Sequence, residues 1–99
     1  MKDTAADKKF VVVAYDIVKT KQRTKLMKLL KGNGDHTQKS VFECLLDDDQ
    51  IRVLVQKIEE LIDPEKDTVR LYTLTSREVA QITVVGIGEV YEEKQLVLI

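Results

Sequence analysis

The apolar run Phe10–Tyr15 constrains the fold more than any other stretch of this 99-residue chain. It contains three consecutive β-branched valines, a pattern typical of a short strand that is buried on both faces. The run ends at Asp16, where the chain becomes polar and basic. A chain of this length forms one domain and removes only about 60 to 65% of its unfolded surface from water, which favours an oligomer.

Further strands and amphipathic helices follow the first strand. The apolar positions between Thr20 and Gly32 recur at helical spacing among lysines and arginine, and those from Ile51 to about Pro64 do so again. Runs of alternating or continuous apolar residues between and after the helices predict three more strands. These strands are expected at His36–Leu46, Thr68–Leu74 and Gln81–Val85, with a polar connection over Thr75–Ala80.

This order of elements predicts an α+β fold, a two-layer α/β sandwich of ferredoxin-like type. The ferredoxin-like template has a hairpin between its two helices, and the sequence matches it only if His36–Leu46 is itself a hairpin. No turn signal lies inside that stretch. Two completions remain open: a four-stranded sheet with both helices on one face, or a sheet completed after Gly88 through another chain.

The two ends of the chain are expected to lie outside this unit. Residues 1–7 read as a polar tail of a single domain that spans residues 1–99. Residues Gln95–Ile99 form an isolated apolar run after Glu92 and Glu93, long enough for a short strand. Pairing with a sheet edge would satisfy its backbone. We expect it to be exchanged between the protomers of a C2 homodimer, with the chain's own edge strand as the alternative.

Charge is unevenly distributed along the sequence, although the formal net charge is only -1. From Lys8 to Lys31 there are eight basic residues and one acid, whereas from Glu43 to Asp67 there are nine acids and three basic residues. The first helix therefore has a basic face formed by Lys21, Arg23, Lys25 and Lys28. That face fits phosphates, with ordinary solvated charge as the alternative. The acidic second helix is either a partner surface or a solvated face.

Several classes of function find no support in the sequence. Cys44 is the only cysteine and lies in an apolar run, so we interpret it as a small buried hydrophobe in a reducing cytoplasm. His36 is the only histidine, which excludes a zinc site with several His or Cys ligands in one chain. We expect no signal peptide, since two acids and no hydrophobic stretch precede Phe10, and no membrane span. No nucleotide-binding glycine motif is present.

Asp16 is the candidate functional carboxylate. It stands where a buried strand gives way to a basic helix, and the carboxyl end of a strand often carries functional side chains. A carboxylate there is a suitable ligand for a hard cation such as Mg²⁺. The alternative is an N-terminal cap of the first helix. Asp47, Asp48 and Asp49 are interpreted as the start of the second helix, since consecutive side chains diverge too much to share a metal.

Two separated motifs give the chain a family resemblance. Ala14-Tyr15-Asp16-Ile17, the following basic helix with Arg23, and Gln38-Lys39-Ser40-Val41-Phe42-Glu43 together resemble the small CRISPR-associated endoribonuclease family, the adaptation subunit that accompanies the CRISPR integrase. The resemblance covers Phe10 to Ile99. It implies a ferredoxin-like homodimer in which the first-strand aspartates face each other across the two-fold axis and can hold a divalent metal.

The resemblance also implies roles for individual residues. Asp16 would be the metal ligand, Tyr15 its neighbour and Arg23 a phosphate contact, with Ser40 and Phe42 in the second motif near the cleft. The implied cofactor is Mg²⁺, or Mn²⁺ in its place. Many relatives carry an arginine where this chain has His36, which weakens the attraction for phosphate there.

Three hypotheses of function follow. The first is a metal-dependent endonuclease that cleaves RNA or double-stranded DNA in CRISPR spacer acquisition and antiviral defence. The second is a non-catalytic dimeric scaffold that binds duplex DNA and the CRISPR integrase subunit, with Asp16 as a helix cap. The third, an RNA-recognition or small-ligand module, is disfavoured because the sheet lacks a pair of stacking aromatic residues.

Overall fold

The computed structural model describes residues 8–86 of the chain, which form four strands and three helices. Their bounds are β1 Lys9–Asp16, α1 Thr20–Lys31, β2 Gly34–Gln38, β3 Val41–Leu46, α2 Asp48–Leu61, β4 Thr68–Leu74 and α3 Ser76–Val79. The expected ends of the domain, residues 1–7 and 95–99, lie outside the described residues.

The four strands form one antiparallel sheet in the order β2-β3-β1-β4. Strand β1 lies between β3 and β4, with Val12 opposite Glu43 on one side and Asp16 opposite Thr68 on the other. The order β1-α1-β2-β3-α2-β4 is the βαββαβ order of the ferredoxin-like fold, so the predicted α+β class is confirmed.

The stretch that the sequence analysis treated as one strand is a hairpin. Strands β2 and β3 are separated by Lys39 and Ser40, and the register shifts between His36 and Gln38. The single-strand interpretation was wrong because this turn contains none of the Gly, Pro, Asn or Asp residues that usually mark hairpins. The hairpin supplies the element that the ferredoxin-like order had lacked.

The main core lies between the sheet and helices α1 and α2. Every second residue of β1 points into it, beginning with Val11 and Val13, both fully buried. Leucines of α1 and α2 cover these valines at helical spacing. The buried members of this core are Val11, Val13, Tyr15, Ile17, Leu26, Leu30, Phe42, Cys44, Leu46, Leu54 and Ile58.

A smaller core covers one end of the opposite sheet face. Phe10 of β1 packs there against Val79 of α3, with Ile82 at its border. Helix α3 begins with a capping box in which Thr75 and Glu78 satisfy each other's backbone N–H groups. The predicted polar connection therefore contains a short helix, and the predicted strand Gln81–Val85 is wrong, because no strand partner pairs with these residues in the described part of the chain.

The start of α2 confirms the interpretation of the three consecutive aspartates. Asp47 is the N-cap residue, and its carboxylate accepts from the N–H of Gln50, whose side chain accepts from the N–H of Asp47 in return. Asp48 pairs with Lys9 at 2.8 Å, which ties the helix to the start of β1. None of the helices within residues 8–86 is long and apolar enough to cross a membrane.

Gly34 at the start of β2 tests the packing of the hairpin. A Cβ atom at this position would lie 2.5 Å from Cys44 Sγ and closer still to the Glu43 carbonyl oxygen. We expect Gly34→Ala to lower the free energy of unfolding by about 2 kcal/mol, because the β2–β3 ladder must separate to admit the methyl group. Urea denaturation followed by circular dichroism measures this change.

Gly32→Ala is the matched control for this prediction. Gly32 has a φ of -75°, and a Cβ atom there would meet nothing closer than 3.5 Å. We expect this variant to be as stable as the parent or about 0.5 kcal/mol more stable. Equal stability of the two variants would contradict the close approach at Gly34.

Candidate active site

Asp16 is the last residue of β1, and its side chain is exposed on the sheet face away from α1 and α2. The carboxylate makes no hydrogen bond or ion pair with another residue in the range 8–86. Helix α1 has Lys19 as its N-cap residue, without a side-chain cap. The helix-cap alternative for Asp16 is therefore wrong, and no contact within residues 8–86 gives this carboxylate a structural role.

Tyr15 precedes Asp16 and points to the opposite, helix-covered face of the sheet, where it is buried. Its hydroxyl donates to the Lys39 carbonyl oxygen at 3.4 Å, and its backbone N–H donates to the Ser40 carbonyl oxygen at 3.1 Å. Burial raises the pKa of the phenol, although the nearby charge of Arg23 acts in the opposite direction. The hydroxyl therefore stays protonated at neutral pH and ties the β2–β3 turn to β1.

The second motif lies beside Tyr15 and contributes mainly packing. Phe42 is fully buried, with its ring 6.3 Å from that of Tyr15 and stacked at 4.5 Å on His36. Nε2 of His36 lies 3.1 Å from the Lys39 carbonyl oxygen. Since its ring is covered, Phe42 acts through the arrangement of its neighbours, while Ser40 is partly accessible at the turn.

Arg23 lies in the first turn of α1, where its guanidinium group binds the loop between β1 and α1. Nη2 donates to the carbonyl oxygens of Ile17 at 2.9 Å and Val18 at 3.2 Å, and Nε also donates to Ile17 at 3.3 Å. The guanidinium group of Arg23, which was predicted to contact phosphate, is thus hydrogen bonded in this structure to backbone carbonyl groups of the residues that follow Asp16.

Asp67 is a residue of this region that the sequence analysis missed. Its carboxylate accepts from the N–H of Val18 and from the N–H of Asp63, both at 2.9 Å. These two hydrogen bonds hold the pKa of Asp67 below its usual value, so that it is ionised at neutral pH. Nothing in the sequence marks this contact, since Asp67 and Val18 are 49 positions apart.

The donors of this region fit a hydrated Mg²⁺ ion rather than an enclosed metal cage. No group of three His, Cys, Asp or Glu side chains within residues 8–86 is arranged to hold a metal. Mg²⁺ is commonly bound through one or two carboxylates while it keeps several waters. Within residues 8–86, Asp16 offers one carboxylate of this kind.

The basic face of α1 is exposed on the helix-covered side of the sheet, opposite the Asp16 side chain. Lys21, Lys25 and Lys28 recur at helical spacing on the solvent side, and α1 contains no acidic residue. Helix α2, on the same side of the sheet, instead begins with Asp48 and Asp49. The unneutralised lysines give α1 the electrostatic character of a surface that attracts phosphates.

Comparison with known proteins identifies relatives of the chain. The sequence model of the family described as CRISPR associated protein Cas2 matches residues 9–82. A CRISPR-associated endoribonuclease Cas2 of Chloroflexus aurantiacus is 41% identical over 81 residues, which are 82% of this chain and 87% of the relative.

Solved structures share the fold. A crystal structure of a hypothetical protein from Thermus thermophilus matches with a TM-score of 0.77 at 38% identity and covers 86% of this chain and 99% of that chain. A chain of a partial Cas6-RT-Cas1–Cas2 complex matches with a TM-score of 0.70 at 30% identity and covers 78% of this chain and 90% of that chain.

The thiol of Cys44 provides a test of the main core. Cys44 is fully buried in β3, and burial together with the charges of Asp35 and Glu43 raises its pKa to about 11. At pH 8 only about one thiol in a thousand is then ionised. We expect a disulfide reagent to leave Cys44 unmodified in the native protein at pH 8 and to modify it fully in urea, as measured by absorbance. Rapid modification of the native protein would contradict this burial.

Proposed function

Because the chain belongs to the Cas2 family of CRISPR-associated proteins, we propose that it is a metal-dependent endonuclease that cleaves RNA or double-stranded DNA. Its role is in CRISPR spacer acquisition and antiviral defence, in the cytoplasm. The exposed Asp16 carboxylate at the end of β1, which has no partner within residues 8–86, is the observation that carries this proposal. A hard oxygen donor without a structural role suits a divalent cation.

Asp16 is the proposed ligand of Mg²⁺, with Mn²⁺ as a substitute. When bound, the ion polarises a phosphodiester and lowers the pKa of an attacking water. The chain's own residues orient this ligand and its surroundings. Tyr15 holds the β2–β3 turn, including Ser40, against β1. The ring of Phe42 packs against the rings of Tyr15 and His36.

A homodimer completes the proposed site. Within residues 8–86 of one protomer, Asp16 is the carboxylate offered at this site, and a second copy related by a two-fold axis supplies another. The sheet face that carries Asp16 supports this arrangement, because among residues 8–86 only its Phe10 end is covered, by α3. Tyr72 of β4, on the same face, is 48% exposed. Burial of this face against a second copy removes apolar surface that a domain this small otherwise leaves in water.

Asp16→Asn tests the proposed catalytic role. Neutralising the carboxylate removes the charge that holds the cation while it keeps the size of the side chain, so we expect cleavage to fall at least about a hundredfold. The measurement is cleavage of end-labelled RNA and duplex DNA with Mg²⁺, Mn²⁺ or EDTA. Sedimentation and circular dichroism confirm that the variant is folded and has the oligomeric state of the parent.

Glu60→Gln is the matched control, because it removes one exposed carboxylate from α2, on the other side of the sheet. It should cleave like the parent. Cleavage by Asp16→Asn at the parent's rate, or cleavage that persists in EDTA, would refute the proposed mechanism.

A non-catalytic scaffold that binds duplex DNA and the CRISPR integrase subunit is the second candidate function. The uncompensated lysines of α1 favour it, since a basic helix binds a DNA backbone without any cleavage chemistry. The fold neighbour in a complex that contains Cas1 supports the same partner class for this chain. Binding and cleavage are separable, and the two candidates differ in whether Asp16 is required.

The salt dependence of DNA binding tests the role of α1 in both candidates. Each lysine that neutralises a phosphate adds about 0.9 to the slope of log affinity against log salt concentration. We therefore expect the triple variant Lys21→Gln, Lys25→Gln and Lys28→Gln to reduce the slope by roughly 2 to 3. Fluorescence anisotropy with labelled duplex DNA measures it. Lys57→Gln on α2 is the control, and an unchanged slope in the triple variant would exclude α1 as the DNA surface.

A further inference from the structure

The second peptide group after Asp16, between Ile17 and Val18, is held from both sides by charged side chains. The carbonyl oxygen of Ile17 and the N–H of Val18 belong to the same planar peptide unit. Arg23 donates to the carbonyl oxygen, with Nη2 at 2.9 Å, and Asp67 accepts from the N–H at 2.9 Å. We call this arrangement, formed by Arg23, Asp67 and the Ile17–Val18 peptide, the peptide clamp.

Most of the N–H donors of Arg23 bind backbone carbonyl oxygens at the clamp. Nε and Nη2 both reach Ile17, Nη2 also reaches Val18, and Nη1 lies 3.5 Å from Thr20 Oγ1. A guanidinium group offers a rigid planar fork of donors, which suits two neighbouring carbonyl oxygens. Lysine keeps the charge but lacks this fork, so it is a poor substitute in a clamp and an acceptable one in a simple contact to phosphate.

Asp67 is held in place by its own loop. Its second carboxylate oxygen accepts from the N–H of Asp63, and its backbone N–H donates to the Asp63 carbonyl oxygen at 2.8 Å. The next residue, Thr68, pairs with Asp16 across the sheet. The end of β1 is thus attached to the start of β4 both through the backbone register and through the Asp67 side chain.

We propose that Arg23 and Asp67 are positioning residues that fix the direction of the Asp16 carboxylate by clamping the Ile17–Val18 peptide, one residue beyond it. This inference rests on the proposed nuclease function. Ile17 is anchored in the main core, whereas Val18 and Lys19 are exposed. Without the clamp, the Ile17–Val18 peptide is free to change its backbone angles, and this change reaches the Asp16 carboxylate through Ile17. Misorientation of a metal ligand lowers the rate of the chemical step more than it weakens binding of the nucleic acid.

The test uses the full chain with Asp67→Ala, Arg23→Lys and the double variant. We expect each single variant to lower kcat for Mg²⁺-dependent cleavage by about tenfold or more, with KM nearly unchanged. The double variant should be no slower than the slower single variant, because both side chains act on one peptide. The amide of Val18 should exchange its hydrogen about tenfold faster in Asp67→Ala, as measured by nuclear magnetic resonance.

Two variants serve as matched controls. Glu65→Ala removes an exposed carboxylate from the same loop as Asp67, and Arg52→Lys makes the same substitution as Arg23→Lys on α2. Both should retain the parent's kcat and the parent's exchange rate at Val18. If Asp67→Ala does not fold, Arg23→Lys tests the same peptide from its carbonyl side through the same exchange measurement.

Different results overturn the clamp and the nuclease proposal. The clamp is refuted if Val18 exchanges at the parent's rate in the folded clamp variants, or if Arg23→Lys raises KM and lowers the salt slope of binding without a change in kcat. The second pattern would mean that Arg23 contacts phosphate. The nuclease proposal is refuted if the parent cleaves neither RNA nor DNA, and the clamp then stands or falls on the exchange of Val18 alone.

Discussion

The structure depends on the burial of β1 between two antiparallel partners. Both edges of this strand are hydrogen bonded, to β3 and to β4, and its valines at positions 11 and 13 are fully covered by α1 and α2. A strand paired on both edges and buried on one face cannot slip by one residue without turning its apolar side chains toward water. The register that results places Asp16 opposite Thr68. Core packing thus determines the position of the candidate carboxylate and the point at which the following loop begins.

Apolar periodicity predicted most of the fold because the helices and the central strand bury a regular stripe of side chains. Strands β1 and β4 and helices α1 and α2 follow this pattern closely, so their positions are confirmed to within about three residues. The failures occurred where hydrogen bonding rather than burial determines the conformation. The turn at Lys39 and Ser40 lacks the usual turn residues, and α3 is specified by the short capping box of Thr75 and Glu78. A four-residue helix buries too few side chains to show periodicity.

The candidate site was only partly predictable for the same physical reason. Asp16 could be predicted as a candidate because it is a lone acid between a buried strand and a basic helix, and this contrast is visible in the sequence. The sequence could not show that Asp16 does not cap α1, since this depends on the residue at which α1 begins. The contact between Asp67 and Val18 joins residues 49 positions apart, and only the pairing of β1 with β4 brings them together. Side chains that hold backbone groups across loops leave no periodic signal.

The charges around Asp16 distinguish the two proposed functions on physical grounds. The lysines of α1 attract phosphate groups, whereas an exposed carboxylate three residues before the helix N-cap repels them. In a scaffold that only binds DNA, the Asp16 carboxylate weakens the attraction between the lysines and the phosphate groups. Its replacement by Asn should therefore strengthen DNA binding. A divalent cation held by the carboxylate would reverse the sign of this interaction, because the ion would be the largest local charge. The nuclease proposal thus gives the Asp16 carboxylate a role, and it does so only if metal and nucleic acid bind together.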